Sequence, residues 1–118
     1  MEIIHVKTPT DYTWCDEDSE LSSECALDSV LNAGADLIIY WYAAGNYEGD
    51  GQALIRKDNR WQLEHLAHCS CYGPLESFSW DGDRAQSLKD LKACCSEDLL
   101  EMTDTLFEEA EKYEPQGI

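Results

Sequence analysis

The centre of the chain alternates apolar runs with short polar connections. The run "LIIYWYAAG" (residues 37–45) is rich in β-branched and aromatic residues and predicts a mostly buried strand. After the glycine-containing connection "NYEGDG", the segment "QALIRKD" (52–58) predicts a second strand, and "WQLEHLAH" (61–68) predicts a third, because its apolar and polar positions alternate. The triplet "DNR" between them predicts a tight turn. These segments predict an antiparallel meander, followed by a short extended piece, "LESFSWDG".

Two segments have the apolar spacing of short amphipathic helices. "SECALDSVLNAG" predicts a helix over residues 23–33, with Ser23 as its N-cap and a stop between Asn32 and Gly34. Its apolar face is predicted to hold Leu27, Val30 and Leu31. "DRAQSLKDLKACC" predicts a helix over residues 84–95, capped by Asp83. Its apolar stripe is predicted to hold Leu88, Leu91 and Cys95.

The segment "SEDLLEMTDTLFEEAEKYE" predicts the longest helix, over residues 97–113, with Ser96 as its N-cap. The inward-facing residues are predicted to be Leu99, Met102, Thr103, Leu106, Phe107, Ala110 and Tyr113. Five acidic residues fall four and three positions apart on the opposite face: Glu97, Glu101, Asp104, Glu108 and Glu111. Like charges at this spacing destabilise an isolated helix by a few tenths of a kcal/mol per pair. The stripe is therefore either an ordinary solvated face or a functional surface.

The length and composition predict one domain. The 118 residues, 43% of them hydrophobic, are enough for a single core, so we expect one domain over residues 1–118. We expect an α+β fold, in which a small antiparallel β-sheet of three to four strands from residues 36–80 packs against two to three helices. The predicted core includes Trp41, Trp61 and Leu106. Residues 1–22 have the least defined pattern, in which only "MEIIHV" fits a short strand.

The longest apolar run is nine residues, "LIIYWYAAG", and is too short to cross a bilayer. The N-terminus also lacks a basic start followed by a long apolar stretch. We therefore expect no membrane contact and a cytoplasmic location. A reducing cytoplasm favours thiols over disulfides for the six cysteines.

The net charge is the most unusual property of the sequence. Asp and Glu number 25 against 8 Lys and Arg, which gives a formal net charge of -17. Such a chain repels the phosphate backbone, because nucleic-acid binding requires Lys and Arg to replace condensed counterions. Four Trp, six Tyr and regular apolar periodicity argue against an acidic disordered chain. The charge is therefore expected to cover a folded surface, where it increases solubility or meets a basic partner.

Three regions are candidates for a partner-binding surface. The first is the acidic stripe of the helix over residues 97–113, whose carboxylates are spaced by roughly 5–6 Å, the scale of phosphate spacing along a nucleic-acid strand. The second is an N-terminal acidic cluster: Asp16, Glu17, Asp18, Glu20 and Glu24. The third is the connection that holds Tyr47, Glu48 and Asp50. Its carboxylates suit a weak divalent-cation site, although the pattern is more typical of a plain hairpin loop.

The stretch "LEHLAHCSCYGP" is dense in potential metal ligands: His65, His68, Cys69 and Cys71. A structural zinc site needs four convergent ligands, and on a strand His65 and His68 point to opposite faces. Cys94 and Cys95 are available to complete a site from the following helix. The alternatives are a thiol nucleophile activated by His68 and a tight turn with buried cysteines. We expect the turn, with buried thiols at Cys69 and Cys71 and no metal.

No complete catalytic template is present. The sequence has no phosphate-cradling glycine loop followed by Lys-Ser or Lys-Thr, no His-Glu-x-x-His and no Gly-x-Ser-x-Gly. Carboxylate pairs are so frequent that their proximity in sequence says little about acid–base catalysis. We therefore expect no enzymatic activity and no cofactor.

The run "YWYAAGNYEGDGQALIRKDNRWQLEHLAHCSCYGPLE" resembles a family of small, acidic phage-encoded proteins. The shared features are an aromatic strand, a Tyr-Glu-Gly-x-Gly loop, a Trp-bearing strand and a His-Cys-Ser-Cys-Tyr-Gly-Pro turn, within roughly residues 36–76. The resemblance implies a phage or prophage origin and binding to a host protein, but it brings no catalytic residues.

Two functional hypotheses follow. The first is an anti-defence inhibitor, of the anti-CRISPR or nucleic-acid-mimic kind, whose acidic surface occupies the basic groove of a host nucleic-acid-binding defence complex. The alternative is a small metal- or ligand-binding module centred on His68, Cys69 and Cys71.

Overall fold

A computed structural model describes residues 2–7, 28–45, 48–66, 80 and 87–113. These residues form a four-stranded sheet and three helices, which confirms the predicted α+β fold. In chain order the elements are β1 (Glu2–His5), α1 (Asp28–Asn32), β2 (Leu37–Gly45), β3 (Glu48–Lys57), β4 (Arg60–His65), α2 (Leu88–Cys94) and α3 (Glu97–Glu111).

The strands lie in the order β1-β2-β3-β4. The pairs β2–β3 and β3–β4 are antiparallel, which confirms the predicted meander. β1 is added at the edge beside β2 and runs parallel to it, so the sheet is mixed rather than purely antiparallel. The physical reason is the connection: a parallel pair needs a crossover of a dozen or more residues, and the chain between His5 and Leu37, which includes α1, is long enough to provide one.

The predicted "DNR" turn joins β3 to β4. Asp58 and Asn59 both have positive φ angles, 51° and 65°. This is the conformation of a type I′ hairpin turn, whose twist matches that of the flanking strands, and Asp and Asn tolerate it better than most residues. The Asp58 N–H also donates to the Asp36 carboxylate over 3.3 Å, which joins the turn to the residue before β2.

β2 is buried on both faces, and its alternate residues belong to two different cores. The first core lies on the α1 face and contains Val30, Ala35, Ile38, Tyr40, Tyr42, Ala53, Ile55 and Leu66, with Trp80 packed against it. The second lies under α2 and α3 and contains Leu37, Ile39, Trp41, Ala43, Leu54, Trp61, Leu88, Leu91, Leu106, Phe107 and Ala110. The predicted core positions of Trp41, Trp61 and Leu106 are therefore confirmed.

Of the two helices on the second core, α3 starts where the sequence predicts and α2 does not. α3 starts after Ser96 as predicted, and the Ser96 hydroxyl accepts a hydrogen bond from the Leu99 N–H over 3.2 Å. α2 starts at Leu88 and not at residue 84, so the prediction of Asp83 as its cap is wrong. Ser87 has an extended backbone (φ -66°, ψ 161°) and accepts from the Asp90 N–H over 3.3 Å, so it is the cap.

α1 is described from Asp28 to Asn32, and the predicted first turn, residues 23–27, lies outside the described residues. Val30 packs into the first core, but Leu31 is 50% exposed, so the prediction that the two share a buried face is wrong. Successive residues of a helix are rotated by about 100°, and in so short a helix only one of them meets the sheet. Gly34, with φ 90°, ends the helix as predicted.

No helix in the described part of the chain is long and apolar enough to span a membrane.

Gly51 provides a test of the sheet packing. It lies in β3 opposite Tyr42, and a Cβ atom there would overlap the carbonyl oxygen of Trp41 and lie 3.0 Å from the Tyr42 Cα. Because both contacts are with the backbone, we expect Gly51→Ala to lower the free energy of unfolding by about 1–3 kcal/mol. Urea unfolding followed by circular dichroism measures this.

The control is Ala93→Ser on the exposed surface of α2, which should stay within about 0.5 kcal/mol of the original protein. Equal stability of the Gly51→Ala protein and this control would contradict the close backbone approach.

Candidate acidic interface on helix α3

Helix α3 presents a continuous acidic surface. Its 15 residues contain seven Asp or Glu and no Lys or Arg. The five members of the predicted stripe are all exposed: Glu97, Glu101, Asp104, Glu108 and Glu111. With a rise of roughly 1.5 Å per residue, the stripe is about 21 Å long and its carboxylates are spaced by roughly 5–6 Å. We call these five residues the acidic stripe.

The opposite face of α3 holds the helix on the sheet. Leu106, Phe107 and Ala110 are buried in the second core. Near the middle of the helix, the Trp41 indole N–H donates to the backbone carbonyl of Met102 over 2.7 Å. Trp41 is fully buried, so its N–H would be costly to leave without an acceptor, and this bond fixes α3 against β2.

Arg56 fixes the C-terminal end of the helix. Its Nη1 donates to the carbonyl of Tyr113, just beyond α3, over 2.9 Å. Its Nε donates to the Asp36 carboxylate over 2.6 Å, and its guanidinium lies 5.6 Å from the centre of the Trp61 ring. A cation is stabilising near carbonyl groups at a helix C-terminus and over an aromatic face. Arg56 therefore ties the end of α3 to β3 and to the start of β2.

The charge along the stripe is not uniform. Its C-terminal half borders a cleft of about 620 Å³ beside the end of β1, lined by Val6, Lys7, Thr105, Glu108, Glu109, Glu111 and Lys112. Lys112 pairs with Glu109 over 3.1 Å, and this exposed pair contributes little to stability. Because two lysines line this cleft, the N-terminal half, from Glu97 to Asp104, is the more purely negative part.

Most of the other predicted partner-binding residues lie outside the part of the chain that the structure describes. Asp16, Glu17, Asp18, Glu20 and Tyr47 lie outside the described residues. Glu48 and Asp50 were predicted to lie in a loop, but their backbones belong to β3, where Glu48 is opposite Gly45 and Asp50 opposite Ala43. The prediction that Glu48 and Asp50 lie in the hairpin loop is therefore wrong, because the strand pairing continues almost to the end of the hairpin. The side chains of Glu48 and Asp50 lie outside the described part of the structure.

The predicted cysteine turn also falls outside the described residues. His68, Cys69 and Cys71 are not described, so both the metal-binding alternative and the prediction of buried thiols stay predictions. His65 is exposed at the end of β4. Within residues 2–7, 28–45, 48–66, 80 and 87–113, no group of three or more His, Cys, Asp and Glu is arranged to hold a metal ion.

Sequence reasoning missed the two hydrogen bonds that position α3. Trp41 was predicted as a core residue, but nothing in the local sequence indicates that Met102 provides its acceptor. Arg56 lies in a predicted strand, and nothing local indicates its bond to the carbonyl of Tyr113. Lys7, at the cleft beside the stripe, likewise had no local signal.

No protein-family model, curated protein or solved structure matched the chain. The resemblance to small phage proteins therefore stays a prediction.

The repulsion within the acidic stripe predicts a stability change. Glu101 lies four residues after Glu97, three after Asp98 and three before Asp104, so Glu101→Lys replaces three repulsive pairs by three attractive ones. We expect the free energy of unfolding to rise by about 0.5–1 kcal/mol at low ionic strength. Urea unfolding measures this, and the gain should shrink in about 1 M salt, where the Debye length is about 3 Å.

The matched control is Glu101→Gln, which removes the repulsion without adding attraction and should give roughly half the gain. A Glu101→Lys protein that is less stable than the original at low salt would show that Glu101 makes a favourable contact instead.

Proposed function

We propose that this protein is a phage-type interaction protein that inhibits a host nucleic-acid-binding defence complex. In this proposal the acidic stripe of α3 occupies a basic surface of the partner and imitates a row of phosphates. The observation that carries it is the exposure of all five carboxylates along a helix that contains no basic residue. The net charge of -17 supports the same kind of partner, because it favours fast association with a positive surface.

The spacing of the stripe supports mimicry of nucleic acid in particular. Carboxylates separated by roughly 5–6 Å along about 21 Å give several charges at the scale on which phosphates are presented. Arg and Lys side chains that bind phosphates also bind carboxylates, with Arg able to form two parallel hydrogen bonds to either group. A groove built for phosphates therefore offers suitable donors to the stripe.

The proposal assigns no catalytic role, no cofactor and no direct nucleic-acid contact to the protein. A phage-type inhibitor of this kind would act in the cytoplasm of the host cell. Direct contact with nucleic acid is disfavoured because the protein would bring carboxylates rather than Lys and Arg to the phosphates.

Charge reversal within α3 tests the proposal. The variant Glu101→Lys/Asp104→Lys changes two exposed residues in the middle of the helix, so folding should be kept. Like charges facing each other across an interface cost several kcal/mol, so we expect partner affinity to fall more than about 100-fold. The partner is first captured from bacterial lysate and identified by mass spectrometry, and its affinity is then measured with purified components.

The matched control is Glu2→Lys/Asp90→Lys, which makes the same change in net charge at two exposed residues outside α3. This control should keep the affinity within a few-fold. Equal loss of affinity in both variants would show that net charge alone matters, whereas no loss in either would exclude α3 as the interface. A third variant, Asp16→Lys/Glu17→Lys, tests the N-terminal acidic cluster in the same assay.

Two further measurements separate mimicry from other acidic interfaces. The nucleic acid that the partner binds should compete with this protein for the partner, because both occupy the same groove. Affinity should also fall as ionic strength rises from about 0.01 to about 1 M, since the Debye length falls from about 30 to about 3 Å. A ternary complex of partner, nucleic acid and this protein would contradict mimicry while leaving protein binding intact.

A further inference from the structure

Strand β1 forms an edge of the sheet whose outer side is open. Among the described residues, no strand lies beyond β1, which pairs with β2. The N–H groups of Glu2 and Val6 donate to carbonyls on the β2 side over 3.0 and 2.8 Å. Because the backbone groups of successive strand residues point to opposite sides, those of Ile3 and His5 point away from the sheet. Such an open row of donors and acceptors is a template for pairing with another strand.

The geometry points to β1 as the interface of a two-fold symmetric dimer, in which the β1 strands of two copies pair in antiparallel orientation. Ile3 would exchange two backbone hydrogen bonds with His5 of the partner subunit. The symmetry axis would pass beside Ile4 and repeat the same pair on its other side. The two four-stranded sheets would then form one continuous sheet.

The charges of β1 favour a second copy as the occupant of this edge. Glu2 and Lys7 are exposed at opposite ends of residues 2–7, which contain no other Asp, Glu, Lys or Arg. In an antiparallel pair, Glu2 of each copy lies beside the end that carries Lys7 of the partner subunit, so opposite charges meet twice. A parallel pair would bring like charges together. Repulsion between two copies of net charge -17 is also weakest along a segment that is formally neutral.

The two charged side chains lie on the same side of the sheet, as this pairing requires. Lys7 lines the cleft beside α3. Glu2 alternates in phase with Ile4, which packs against the second core under α2 and α3. Both charges are therefore on the α3 side of β1, where the two ends of a strand pair can attract each other.

The apolar surface of β1 is suited to the same contact. Ile3 is 48% exposed although it lies in a strand. In the dimer it would pack beside His5 of the partner subunit. In each copy the His5 ring is stacked on Tyr40, with ring centres 4.8 Å apart and planes 9° apart, so Ile3 would meet a ring that is already held in place. The strand pair is short, and interfaces below about 1,200 Å² are typical of weak, transient association.

Dimerisation would bring the acidic surfaces of two copies to one side of the sheet. The axis of an antiparallel strand pair stands perpendicular to the sheet, so the second core of each copy stays on the same side. Helix α3 packs on that core and would therefore occur twice on this side. The dimer itself does not depend on the proposed function, because β1 and not the acidic stripe forms the contact.

Sedimentation velocity of the unmodified protein tests for the dimer. The measurement covers protein concentrations from about 1 μM to about 1 mM, in reducing buffer so that no disulfide joins two copies. We expect the sedimentation coefficient to rise with concentration toward the value of a dimer. A monomer at every concentration would overturn the proposal.

A charge-swap series tests the antiparallel pairing. Glu2→Lys and Lys7→Glu change the net charge in opposite directions, but each brings like charges together at both ends of the strand pair. We expect either change to weaken dimerisation by about tenfold. The double variant Glu2→Lys/Lys7→Glu restores opposite charges and should dimerise within a few-fold of the original protein.

The matched control is Lys89→Glu, on the exposed surface of α2, which makes the same change in net charge as Lys7→Glu. It should keep dimerisation within a few-fold. An equal loss in Lys89→Glu, or no recovery in the double variant, would overturn the antiparallel β1 pair.

Ile3→Pro tests the backbone hydrogen bonds of the interface. Proline has no N–H, but the Ile3 N–H points away from β2, so the change leaves the β1–β2 hydrogen bonds intact. We expect dimerisation to weaken more than about tenfold, with an unchanged circular dichroism spectrum. The control Ile3→Val keeps the N–H and a β-branched side chain and should dimerise normally. Dimerisation of Ile3→Pro at the original affinity would contradict the proposal.

Discussion

The burial of β2 on both faces is the constraint on which the rest of the structure depends. Ile38 and Tyr40 face the α1 side and Leu37 and Ile39 face α2 and α3, so neither side of the strand can be left to solvent. The position of α3 follows from the same strand. The fully buried indole of Trp41 needs an acceptor, and the Met102 carbonyl provides it. The hydrogen bond between Trp41 and Met102 therefore helps to determine which way the acidic stripe faces.

Tertiary packing, rather than local preference, holds α3 together. Burial of Leu106 and Phe107 contributes about 1.5–3 kcal/mol each, whereas each repulsive pair on the outer face costs only a few tenths of a kcal/mol. The fold therefore tolerates the acidic stripe but does not require it, since Gln or Lys at the same exposed positions would leave the buried face unchanged. Seven acidic residues in one 15-residue helix need an explanation outside the fold, either solubility or a basic partner.

The elements that the sequence predicted well are those with local signals. Ser96 before an acidic first turn indicated the start of α3, and the β-branched and aromatic run indicated β2. The parallel pairing of β1 could not be predicted, because it depends on the crossover between His5 and Leu37 and not on the strand itself. Ser87 and Asp83 are both good N-cap residue types, so local sequence does not choose between them.

The acidic stripe was predictable because the helical period alone fixes which residues share a face. The contacts that position the helix were not predictable, because they join Trp41 to Met102, 61 residues apart, and Arg56 to Tyr113, 57 residues apart. These contacts hold the backbone of α3 on the sheet near its middle and at its end. The backbone of α3 would then change little on binding. Less conformational entropy would be lost than if the helix formed only in the complex, so less of the electrostatic attraction would be offset. A row of negative charge held in this way suits the partner that we propose, whose positive groups would line a groove for a nucleic-acid backbone.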